Sequence, residues 1–148
     1  MSRKILLPGL LLPLLLAACG EPADTHPDKP VTHRRAAFNK ILKPFEAMGG
    51  QLRQDRFAAD KFLELAKQLD SSKEGPWTYF GPDTNYPPTR ATAKVGSDAE
   101  RFATSKQNFL QASSQLLAAA ESRNEKQIRA AYEATHETCR NCHKIFKD

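Results

Sequence analysis

The residues of this 148-residue chain best equipped for chemistry stand together near its end, in Cys139-Arg140-Asn141-Cys142-His143. Two thiols two residues apart, with an imidazole directly after, could exchange as a redox pair, ligate zinc, or carry a c-type haem. In the last case the thiols add across the two vinyl groups and the histidine gives the iron an axial nitrogen. On a helix Cys139 and Cys142 fall one turn apart, and His143 follows Cys139 by four, so all three address one flat macrocycle. A redox dithiol belongs at the start of a helix in a βαβ setting, and nothing here alternates like a strand. Zinc asks for a fourth ligand from His26, His33 or His136, none of which shows paired ligand spacing. Covalent haem c, one per chain, is the reading that uses all three side chains.

The elements that must position this motif are helical. Phe38, Ile41, Phe45, Met48 and Leu52 step by three and four and predict a first helix from about residue 31. Pro44 lies inside it and is expected to bend or divide it, because proline removes one backbone hydrogen bond. A second helix over about 56–70 buries Phe62, Leu65, Ala66 and Leu69. Residues 71–96, with four prolines and three glycines, stop regular structure and form a long crossover. Ser97 and Glu100 read as a capping box opening a third helix with Phe102, Phe109, Ser113, Leu116 and Ala120 on one face. Asn124 caps a fourth, whose buried face runs through Ile128, Ala131, Tyr132 and Thr135 to Cys139, Cys142 and Phe146. Two short links and one long one specify an antiparallel four-helix bundle, all α, over residues 31–148.

The beginning of the chain has another job. Arg3 and Lys4 precede an apolar, proline-broken run to Ala18, which is too short for a membrane span and fits a signal peptide over residues 1–18. Leu16-Ala17-Ala18-Cys19 resembles a bacterial lipobox, with Cys19 as the lipidated residue. Residues 19–30 hold several prolines without apolar periodicity and read as a tether reaching roughly 35 Å at most. Location follows: exported and lipid-anchored to the outer membrane, facing the periplasm. The formal charge of +5 drops to +3 once Arg3 and Lys4 are removed. With no dense basic stripe interleaved with aromatics left, nucleic acid is excluded as a partner.

The sixth position of the iron is the functional question. Five residues follow His143 and include no methionine, so a second ligand would have to come from another helix. Met48 belongs to the apolar stripe of the first helix, His136 lies two turns before His143 on the same side, and His33 stands at a helix start. Five-coordinate iron under an apolar cover is the expectation.

With these features in view, residues 31–148 resemble cytochrome c′, the high-spin class with a C-terminal haem motif. The matches are the segment from Cys139 to Lys147, Trp77-Thr78-Tyr79-Phe80-Gly81-Pro82 in the crossover, and Thr89-Arg90-Ala91 leading to Ser97-Asp98. The resemblance implies that Phe38 covers the distal face, with Ile41 or Leu42 as alternatives. It also implies that Arg34 and Arg35 lie near the haem propionates, that Lys147 stands on the proximal side where arginine is commoner, and that the chain forms a homodimer. It implies binding of nitric oxide and carbon monoxide, with oxygen disfavoured, in defence against nitrosative stress. A periplasmic electron-transfer cytochrome with an unidentified redox partner is the alternative. A peroxidase-like enzyme ranks last, since for a distal acid-base residue the first helix offers only Arg34, Arg35, Lys40, Lys43 and Glu46, mostly off its apolar stripe.

Overall fold

The computed structural model describes residues 22–54 and 56–148. Residues 1–18, read as a signal peptide, and Cys19 lie outside the described residues. Five helices follow in order: α1 Pro30–Arg53, α2 Ala59–Ser72, α3 Lys94–Ser97, α4 Ala99–Glu121 and α5 Glu125–Phe146. A single 3-10 turn, Trp77–Tyr79, interrupts the crossover. The four long helices form the bundle. α3 is one turn that the proline-rich composition had hidden.

Pro44 does not divide α1, which is assigned as one helix through it. Its ring is buried among the residues that hold the helix in place, and that packing outweighs the missing hydrogen bond. The start of α1 is capped from a distance. Lys29, the preceding residue, has left-handed backbone (φ 42°) and gives no side-chain cap. Asp24 supplies one instead: its Oδ2 accepts the Thr32 backbone N–H at 2.8 Å, placing a carboxylate at the positive end of the helix. Pro30 stands at the first helical position, where its missing N–H is no loss.

The capping box expected at Ser97 is not formed. Ser97 ends α3, and Asp98 is the residue before α4, without a side-chain cap bond. The one-turn α3 absorbs the register that Ser97 would have needed. At α5 the expectation holds, with Asn124 Oδ1 accepting the Gln127 N–H at 3.1 Å.

α1 packs on α2, α2 on α4, and α4 on α5. Met48, Phe62, Leu69, Leu116 and Ile128 are fully buried where these helices meet, each such side chain contributing about 1.5–3 kcal/mol of hydrophobic stabilisation. α1 and α5 face each other differently. They come together at Gly49, where the absence of a Cβ admits the Tyr132 hydroxyl; a methyl there would collide with it. Beyond that contact the two helices stand apart around a cavity. At the far end the crossover ties down α5: Thr92 N–H donates to Phe146 O at 3.0 Å, Asp148 N–H donates to Arg90 O at 2.9 Å, and Ala91 and Lys147 form an antiparallel bridge.

Candidate functional site

The cavity between α1 and α5 has a volume of about 650 Å³. Its α5 wall carries Cys139, Cys142 and His143; its α1 wall carries Phe38, Ile41, Leu42 and Phe45. The helical periods explain both walls. Cys139, Cys142 and His143 lie within one turn of the same helix face, and Phe38, Ile41, Leu42 and Phe45 continue the stripe of α1. The cysteines are half-buried. Burial, with Cys142 alongside, pushes the Cys139 thiol up to about 11, and burial pushes the Cys142 thiol up. Burial, then the charges of Lys147 and Arg90, push His143 down, favouring the neutral imidazole that can ligate a metal.

A cluster of aromatic rings closes the crossover side. Phe38 meets Trp77 edge to face at 5.6 Å and Phe80 at 6.2 Å. Phe80 packs on Phe102 at 5.0 Å, and Phe102 on Phe146 at 5.2 Å. Trp77 is held by its indole N–H, which donates to Lys73 O at 2.7 Å. At the opposite end Phe45 stacks on Tyr132 at 4.4 Å, with His136 against both rings. Phe38 therefore faces the cavity as expected, and so do the two alternatives, with Leu42 the most exposed at 46%.

Arg34 and Arg35 both reach the cavity lining, but their guanidiniums are engaged with the crossover. Arg34 is 5% exposed. It donates to Tyr79 O (3.0 Å) and Thr89 Oγ1 (2.5 Å) and stacks 4.3 Å above the Phe80 ring. Arg35 donates to Pro88 O at 2.6 Å. Arg34 is thus a strut between α1 and the crossover, a role that spacing alone could not disclose because its acceptors lie 45 to 55 positions away. Lys147 lies on the cavity lining beside His143.

The other candidate ligands have different neighbours. Met48 is fully buried in the core. His33 stacks on Tyr79 and His26 on Tyr86. His136 lies on the α5 side with His143 rather than on the α1 wall. The cysteines occupy the last turns of α5 rather than a helix start, which removes the setting of a redox dithiol. The Tyr132, Trp77, Phe80 and Phe102 walls were not singled out as site residues from the sequence. The aromatic density of the crossover was the available signal.

The model of the family described as Cytochrome C′ matches residues 29–147. The chain belongs to the cytochrome c′ family. Among curated relatives, cytochrome c′ of Rubrivivax gelatinosus is 30% identical over 124 residues, covering 82% of this chain and 96% of its own. That of Rhodospirillum rubrum is 26% identical over 146 residues, covering 98% of each. Among solved structures, cytochrome c prime from Shewanella frigidimarina superimposes with a TM-score of 0.79 at 27% identity, over 84% of this chain and 98% of that one. A ferrous variant from Alcaligenes xylosoxidans with bound nitric oxide gives 0.78 at 26% identity, over 84% and 97%. The family cofactor is covalently attached haem c, and the residues present fit it. A largely apolar cavity carries two thiols one turn apart and an imidazole on the same wall, with aromatic rings to pack against a macrocycle.

Proposed function

We propose that this cytochrome c′ binds nitric oxide, and carbon monoxide, at a single open coordination position, and that it acts as a scavenger of nitric oxide under nitrosative stress. One observation carries the reading: the cavity has His143 on one wall and the apolar stripe Phe38, Ile41, Leu42 and Phe45 on the facing one, with Arg34, Arg35, Asn39, Glu46 and Arg53 of α1 also on its lining. Cys139 and Cys142 would hold the haem through thioether bonds, and His143 would ligate its iron. Phe38, Ile41, Leu42 and Phe45 exclude water and carry no hydrogen-bond donor of their own. When bound, the haem supplies an iron with one position left for a small gas. Oxygen needs polar stabilisation that this apolar stripe does not supply, whereas nitric oxide bonds strongly to ferrous iron without it.

The same reading places the mature chain on a membrane. Cys19 carries the lipid and the folded domain faces the periplasm; the lipobox residues Leu16-Ala17-Ala18-Cys19 support this. A homodimer and an unidentified redox partner complete it. Among the described residues no helix is long and apolar enough to cross a membrane.

The test is the absorption spectrum of the purified holoprotein in both oxidation states, followed by anaerobic titration of the ferrous form with nitric oxide. High-spin spectra and a stoichiometric spectral change are expected. Low-spin spectra, showing a protein side chain on both faces of the iron, would overturn the gas-binding reading and favour the electron-transfer alternative.

A further inference from the structure

α1 enters the bundle at the end that holds the site. Val31 and Arg34, in its first turns, line the same cavity as His143 and Lys147 in the last turns of α5. The segment leading into α1 is fastened there as well. Asp24 Oδ1 accepts the Tyr86 hydroxyl at 2.5 Å, while Oδ2 caps α1 through Thr32. His26 stacks on the Tyr86 ring at 6.2 Å. Tyr86 is seated on the stretch of crossover that walls the site: its carbonyl accepts Thr89 N–H at 2.9 Å, and Arg34 grips Thr89 Oγ1. Burial opposes ionisation of Asp24, but the bonds from Tyr86 and Thr32 prevail and hold its carboxyl down at about 2.

The slack between Cys19 and the domain is set by this contact. Were the chain free up to Pro30, eleven residue steps would separate it from Cys19, about 34 Å at full extension; fastened at Asp24 it has five, about 16 Å at most. We infer that the Asp24–Tyr86 latch holds the haem-binding end of the bundle at the lipid surface to which Cys19 is anchored, so that the cavity edge faces the bilayer. The occupant of this face is the lipid surface itself. Nitric oxide and carbon monoxide are uncharged and dissolve readily in hydrocarbon, so a cavity in that position meets gas as it leaves the membrane. The inference rests on the lipoprotein reading of Cys19.

The test uses the mature ferric holoprotein, purified with its lipid and reconstituted into phosphatidylcholine vesicles bearing a nitroxide on the lipid headgroups. The high-spin iron shortens nitroxide relaxation steeply with proximity. The native chain is expected to give strong enhancement. The double substitution Asp24→Asn with Tyr86→Phe, checked for an unchanged haem spectrum, is expected to lower it severalfold as the permitted distance grows. A ten-residue glycine-serine insertion between Pro22 and Ala23 is expected to do at least as much. An insertion that lowers the enhancement while the double substitution matches the native chain overturns the latch. A lipidated native chain with no enhancement overturns the orientation. A mature chain whose mass shows no diacylglyceryl group on Cys19 overturns the lipoprotein reading and the inference with it.

Discussion

The two halves of the bundle solve opposite problems with the same kind of helix. Around α2 and α4, Phe62, Leu69, Leu116 and Ile128 fill the space between helices completely. Between α1 and α5 the apolar stripe of one helix faces the cysteines of the other across a cavity. The comparison teaches that an amphipathic stripe specifies burial without specifying what is buried against it. In one half the partner is protein; in the other it is the haem that the thiols and histidine attach.

Removing the motif should have the largest effect on this contrast. Cys139→Ala with Cys142→Ala is expected to abolish covalently held haem, read as loss of haem staining after denaturing electrophoresis, while the α2–α4 half keeps its helical circular dichroism. Next come the apolar side chains, which should behave differently in the two halves. Leu116→Ala, fully buried, should lower stability by about 3 kcal/mol or more in denaturant titration of the holoprotein. Leu42→Ala, 46% exposed, should lower it by less than about 1 kcal/mol. Phe38→Ala should open the distal wall and tighten carbon monoxide binding by about tenfold, near 1.4 kcal/mol; unchanged affinity would transfer the covering role to Ile41 or Leu42.

The pivot between the halves gives a smaller effect. Gly49→Ala should destabilise by about 1–2 kcal/mol, because the methyl displaces a Tyr132 ring already stacked on Phe45. The loss outweighs the gain in helix propensity, and combining it with Tyr132→Leu should recover part of it. The smallest effect belongs to the latch. The Asp24 carboxyl is held below its ordinary value of 3.8 at about 2, so its stabilising bonds are fully present above about 4 and are lost as pH falls through about 2. Acid titration of the native chain should show this step in Tyr86 ring signals, and Asp24→Asn should remove it.

Much of the bundle was legible because its stripes are long and its links are short. Asn124 capped α5 as its position suggested, and Met48 proved a core residue as its place in the stripe implied. Ser97 failed as a cap because a one-turn helix, invisible to periodicity, used it first. Pro44 failed as a break because burial on the bundle side overrode local propensity. The motif was legible at the site since its spacing is local. The strut made by Arg34 and the latch made by Asp24 were not, since their partners lie 45 to 62 positions along the chain. No one-dimensional pattern reports such pairings.

The separation of the two cavity walls along the chain has a temporal consequence. Phe38 and Cys139 are about 100 positions apart, and contacts this remote in sequence form late, after the entropy of closing a long loop has been met. Bringing the two walls together therefore costs the entropy of closing a loop of about 100 residues, which the contacts around the cavity must repay.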